Sequence, residues 1–215
     1  MKINTTSIIQ KFIENNPKLE DLREEIEKTV ETIKTCFASE GKLLVCGNGG
    51  SCSDAAHITG ELMKSFRLPR KIEKELEDCL GQFPDGEFLT KHLQKGLPCI
   101  DLTANTALQT AILNDTSPDL IFAQQLFVYG QQGDVLLALS TSGNSRNVCL
   151  AAQVAKLKKI KVIALQGGNK SSFLSQFADH LIAVPEKETY LVQEFHLPIY
   201  HTICLCLENE FFGDN

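Results

Sequence analysis

Near the start of the chain, apolar residues recur at three- to four-residue spacing. Ile8, Ile9, Phe12 and Ile13 make one stripe, and Leu19, Leu22, Ile26, Val30, Ile33 and Phe37 a second. That spacing puts side chains on one face of an α-helix. Asn16-Pro17 stands between the stripes, and proline lacks the N–H that a helix interior needs, so residues 5–38 are predicted to form two helices rather than one. Beyond Gly41 the pattern changes to short, buried-looking apolar runs at 43–46, 99–102, 135–139, 162–165 and 181–184, separated by helical periodicity. Parallel strands need long crossovers, and strands covered on both faces show no polar alternation. The order therefore predicts an α/β fold, a five-stranded parallel sheet between two layers of helices.

One stretch sits outside that alternation. Residues 68–98 are charged and carry helical periodicity in two pieces, about 71–80 and 86–95, as an inserted helical pair would. A solvated excursion or a subunit contact is its plainer role, an active-site lid the other. With 215 residues, 43% hydrophobic and 22% charged, the chain suits a single domain over 1–215, with N-terminal helices over 1–40. The net charge of -6 argues against nucleic acid or an acidic membrane as partner, since both are met by positive surfaces. Eight cysteines include no C-x-x-C spacing, so they read as small core hydrophobes rather than a zinc knuckle. The segment MKINTTSIIQKF lacks a long apolar core and a cleavage pattern, and no apolar run approaches the ~20 residues of a membrane span. A cytoplasmic location is expected.

Two strand-to-helix turns carry the candidate chemistry. The first, Gly47-Asn48-Gly49-Gly50-Ser51, follows the run at 43–46. Its glycines let backbone N–H groups converge on an anion, and the following helix N-terminus adds partial positive charge. A dinucleotide fingerprint fails, because Cys52 occupies its third glycine position and no second strand with an acidic end follows. A P-loop fails for want of Gly-Lys-Ser/Thr, so no nucleotide cofactor is expected. The second turn offers the hydroxyls of Ser140, Thr141, Ser142 and Ser145 at the start of a helix over about 145–159. So many neutral donors can wrap a phosphate without a lysine, whereas helix capping needs only one. Both turns lie at carboxyl ends of strands, where open α/β sheets bind ligands.

His57 and Glu61 stand four apart on the helix leaving the first turn and share a face. They suit a base and its partner, two metal ligands, or a solvated surface pair. Residues 188–212 read as a long helix bearing Gln193, Glu194, His196 and His201. On it Gln193 and His201 point about 80° apart and His196 and His201 about 140° apart, which makes Gln193 the better companion of His201. A kink at Pro198 would alter that phase. His92 and His180 read as structural.

Taken together, CGNGGS, the His57/Glu61 pair, Asn114-Asp115, GDVLLALSTSGNS, and Gln193-Glu194 with His201 eight residues after Gln193 resemble the sugar isomerase (SIS) domain family, and most closely the phosphoheptose isomerases. The resemblance covers about 20–210, interrupted by 68–98. It implies a flavodoxin-like three-layer sandwich and an enzyme converting sedoheptulose 7-phosphate to a heptose 7-phosphate through an enediol, with Glu61 as base and His201 as acid. It also implies phosphate on Ser140, Thr141, Ser142 and Ser145, and a sugar pocket shaped by Asn48, Gly49, Gly50, Ser51, a turn at Asn114 and Asp115, and Gln193. Some members carry zinc at positions matching His57, Glu61, Gln193 and His201, and members are commonly homotetramers with sites between subunits. Three features depart from the heptose enzymes: the length of 68–98, Leu191 in place of an arginine, and Ser65 in place of a basic residue for which Arg67 is the nearest substitute. They leave phosphosugar chemistry in place and bear on the choice of sugar. Relatives that bind a sugar phosphate only for regulation, or act as adaptors, tend to lose the glutamate and late histidine. This chain has both, so catalysis is expected over non-catalytic binding.

Overall fold

The computed structural model describes residues 1–214. Helices α1 (Ile3–Asn15) and α2 (Arg23–Ala38) are separated by a tight turn at Pro17–Leu22. The break falls where the sequence placed it, and the Asn16 side chain closes α1 by donating to the Phe12 carbonyl at 2.8 Å. There follow β1 (Leu43–Cys46), α3 (Gly50–Met63), α4 (Lys74–Leu80), α5 (Gly86–His92), β2 (Cys99–Asp101), α6 (Thr106–Asp115), α7 (Ile121–Tyr129), β3 (Val135–Ser140), α8 (Arg146–Leu157), β4 (Lys161–Gln166), β5 (His180–Ala183) and α9 (Thr189–Phe212).

All five strands are parallel, in the order β2-β1-β3-β4-β5. Alternate strand residues face opposite layers, as a two-residue period requires. Leu43, Val45, Leu137, Leu139, Ile163 and Leu165 pack with α1, α2, α3 and α9 on one side. Leu44, Cys46, Leu136, Ala138, Val162 and Ala164 pack with α7 and α8 on the other. The chain leaves β1 toward β2 on one side and returns to β3 on the other. The carboxyl ends of β1 and β3 therefore flank a topological switch point, the crevice in which such sheets hold ligands. Cys46 pairs in register with Ala138, which sets the turns that follow side by side.

The insertion is helical but shorter in its helices than its periodicity suggested. Residues 71–73 leave the first helix because Lys71 bridges Gln94 and the Lys95 amide donates to the Arg70 carbonyl at 2.8 Å, closing the base of the excursion. The second helix ends at His92 rather than 95 for the same reason. Helix α9 runs unbroken through Pro198, so its angular phase holds. Among the described residues no helix is long and apolar enough to cross a membrane.

Candidate active site

Helix α3 leaves the first turn directly and carries His57 and Glu61, while α9 packs beside it and carries His201. Three side chains meet there. His57 Nε2 is 3.0 Å from Glu61 Oε1 and 3.5 Å from His201 Nε2. Candidate ligand atoms of the three lie within 4.8 Å of one another. His57 Nδ1 is 3.0 Å from the hydroxyl of buried Tyr200. Burial lowers the pKa of His201, and nearby His57 adds to this while Glu61 opposes it. The imidazole at the centre of the site is thus favoured in its neutral form.

The two turns touch across the switch point. Asn48 and Asn147 exchange a pair of amide hydrogen bonds at 2.8 and 2.9 Å. In the first turn the amides of Ser51 and Cys52 fold back onto the carbonyls of Asn48 and Gly49, which leaves the turn's exposed face to Asn48, Gly49 and Gly50, while Ser51 is buried. A Cβ at Gly50 would stand 2.4 Å from Nε2 at the far end of the Gln193 side chain. That contact places Gln193 against the first turn, on the face expected from its phase.

In the second turn Ser140 donates to the Ser145 hydroxyl at 3.0 Å, and the Ser142 hydroxyl accepts the Asn144 amide at 3.1 Å. Ser145 sits at the N-cap of α8 without a side-chain capping bond, so capping does not account for it. Thr141 is half-buried and Ser142 exposed. Gly143 takes φ +68 with Gln166 Oε1 and the Ser172 side chain where a Cβ would be, which holds the hydroxyls at the mouth of the turn.

Not every expected residue is placed as anticipated. Asn114 and Asp115 do not form a turn. They are the last residues of α6, exposed and bonded to each other at 2.7 Å, because the helical pattern 106–115 carries through them. Arg67 lines a cavity of about 280 Å³ with Lys11, Asn15, Asn16 and His201, so it does stand beside the site.

The sequence did not single out Arg70, Glu208, Asp54 or Tyr200. Arg70 and Glu208 form a buried ion pair at 3.0 Å. Arg70 also donates to the carbonyls of Leu62 at 2.6 Å and Glu61 at 3.1 Å, and Glu208 accepts the amides of Phe66 and Arg67 at 2.9 Å each. This cluster caps the end of α3 and fixes the turn that bears Glu61. The available signal for Glu208 was a glutamate directly after the apolar run Ile203–Leu207.

The chain was compared with known proteins. The SIS domain family profile matches residues 9–78 and 90–167, the gap falling inside the helical insertion. A phosphoheptose isomerase of Synechocystis sp. is 37% identical over 188 residues, covering 87% of this chain and 84% of that protein. One of Alteromonas mediterranea is 36% identical over 215 residues, covering 99% and 94%. The solved phosphoheptose isomerase of Francisella tularensis superposes with a TM-score of 0.75 at 30% identity, covering 95% of this chain and 96% of that one. That of Neisseria gonorrhoeae gives 0.73, again at 30%, covering 96% and 97%. On a profile match over most of its length, near-complete overlap with these relatives and the same parallel sheet, the chain belongs to the SIS domain family, on its phosphoheptose isomerase branch.

Proposed function

We propose that the chain is a phosphosugar isomerase that interconverts a ketose phosphate and an aldose phosphate through an enediol, with sedoheptulose 7-phosphate as the ketose. The observation that carries the reading is the convergence of Glu61 and His201 on His57, from helices 144 positions apart at the two histidines, beside two ligand-ready turns. The phosphate rests on Ser140, Thr141, Ser142 and Ser145, with the amides at the start of α8 supplying further donors. Asn48, Gly49, Gly50 and Gln193 line the path of the sugar toward α3, and Arg67 offers a cation on the far side of His201.

In the forward direction Glu61 removes a proton from C1 of the ketose. The electron pair forms the C1–C2 double bond as the C2 carbonyl oxygen takes a proton from His201. The carboxyl proton on Glu61 exchanges with solvent while the enediol lasts, and Glu61 then protonates C2 while the C1 hydroxyl gives its own proton to His201, leaving the aldehyde. A neutral imidazole can give and then take a proton in this way, which matches the lowered pKa of His201.

The donor set of His57, Glu61 and His201, with Gln193 close by, suits zinc, which accepts imidazole nitrogen and carboxylate oxygen. When bound, such an ion polarises a sugar oxygen as a Lewis acid. Glu61 keeps a second carboxylate oxygen for the proton. The reading includes a cytoplasmic homotetramer with sites between subunits. A panel of ketose phosphates of different chain length, assayed before and after chelation and zinc restoration, tests it. Conversion of the seven-carbon sugar is expected, and no conversion of any member by a folded, assembled preparation overturns it.

A further inference from the structure

Strand β4 is apolar from Val162 to Leu165 and ends on Gln166, a polar side chain that is 0% exposed. A primary amide out of water is costly unless its oxygen and nitrogen find partners, and both ends of this one are engaged. The Ser172 hydroxyl, itself 1% exposed, donates to Oε1 at 2.8 Å, and Nε2 donates to the Asn169 carbonyl at 2.7 Å. Ser172 Oγ in turn accepts the Ser175 amide at 3.2 Å. The amide thus folds segment 169–175 back over the end of its own strand.

The second turn lies directly on that bonded pair. Strands β3 and β4 pair in register as far as Ser140 and Gln166, where the turn begins. Gly143 comes closest, with φ +68 and with Gln166 Oε1 and Ser172 Oγ both 2.5 Å from where its Cβ would be. Neither atom is a loose side-chain end, since both are buried and bonded to each other. The folded-back segment then takes up acceptors of the turn. The Gly167 amide donates to the Thr141 carbonyl at 3.0 Å, the Leu174 amide to the Gly143 carbonyl at 2.9 Å and the Phe173 amide to Asn144 Oδ1 at 2.9 Å. With Ser140 O bonded to the Gly143 amide and Ser142 O to Asn144 Nδ2, every carbonyl from Ser140 to Gly143 is engaged. An anion site needs this arrangement, because a lone pair facing the anion repels it as surely as a donor attracts it.

We propose that Gln166, with Ser172, is a positioning residue for phosphate binding: the buried pair seats the second turn, and the segment it holds draws the turn's acceptors away from the anion so that its donors are left facing it. This rests on the reading that the phosphate sits on the second turn. Both residues are buried, so they act through the turn and not on the ligand.

The test uses the full-length protein with Gln166→Met, which keeps the length of the side chain and removes both bonds, and Ser172→Ala, which removes one hydroxyl. In either variant KM for sedoheptulose 7-phosphate and the inhibition constant of inorganic phosphate should rise together by about 10-fold, the worth of one or two neutral hydrogen bonds, with kcat within about twofold of the parent. The double variant should be little worse than either single one, because both break the same pair. Backbone amide resonances of residues 141–147 should move when inorganic phosphate is added to the parent, and should already be displaced in the phosphate-free variants. Ser172→Ala, the milder change, decides the matter if Gln166→Met does not fold. A pair that served stability alone would lower Tm and leave KM and the phosphate constant unchanged; that result overturns the proposal and, with the parent amides still responding to phosphate, leaves the phosphate reading standing. Inorganic phosphate that binds the parent without moving the 141–147 amides overturns both.

Discussion

Glu208→Gln is the most exacting structural perturbation, since it keeps volume and removes one charge. Glu208 and Arg70 are 1% and 0% exposed at their side chains, so the guanidinium would be left buried without a counterion, and the new amide nitrogen would face N–H donors. Breaking a buried pair in this way costs about 3–5 kcal/mol. At roughly 2–4 °C per kcal/mol for a chain of this size, Tm should fall by about 6–20 °C. A second variant tests the cause. Replacing a buried ion pair by apolar residues is often close to neutral, but Arg70→Met with Glu208→Leu would also orphan the carbonyls of Glu61 and Leu62 and the amides of Phe66 and Arg67. At about 1–3 kcal/mol for each such group, the double variant should stay clearly destabilised. Thermal unfolding by circular dichroism measures both, and turnover should fall in each because the end of α3 holds Glu61. A double variant as stable as the parent would refute the idea that the pair anchors this segment.

Other outcomes follow from single residues. Ser142→Ala removes an exposed hydroxyl from the second turn and should raise KM for a sugar phosphate by about 5–10-fold with kcat nearly unchanged, the mark of lost uniform binding; a fall in kcat alone would place Ser142 elsewhere in the reaction. His196 is buried with neither ring nitrogen bonded, and burial depresses it from 6.5 to about 4. The unfolded chain therefore takes up this proton first as pH falls, so stability is full above 6.5 and drains by about 3 kcal/mol on the way to pH 4. His196→Leu should flatten that slope in urea unfolding measured across pH, and an unchanged slope would assign the acid sensitivity to other groups. Burial pushes the thiols of Cys36 up to about 11 and Cys99 up to about 12, while Cys79 is exposed. Brief alkylation of the native protein should modify Cys79 well before either, as peptide mass mapping would show.

Much of the fold was legible because its signals are local. The strands are short apolar runs, and the two turns announce themselves by glycine and hydroxyl content at strand ends. The phase of Gln193 on α9 survived because the helix runs unbroken through Pro198. The family resemblance misled at one point, since the turn it implied at Asn114-Asp115 proved to be the end of α6. The place of Tyr200 was not legible, because it depends on α3 and α9 approaching until its hydroxyl reaches the His57 ring. The Arg70–Glu208 cluster was hidden for the same reason, since residues 138 positions apart meet only when the segment after α3 folds onto α9.

The most direct measurement of the central claim is turnover of sedoheptulose 7-phosphate in D₂O, with the label located in product and recovered substrate by NMR, for the parent and Glu61→Gln. An enediol formed by Glu61 requires deuterium at C2 of the aldose, some washing into C1 of the ketose, and loss of both turnover and exchange in the variant. Conversion without any solvent deuterium, or undiminished exchange in Glu61→Gln, would contradict it.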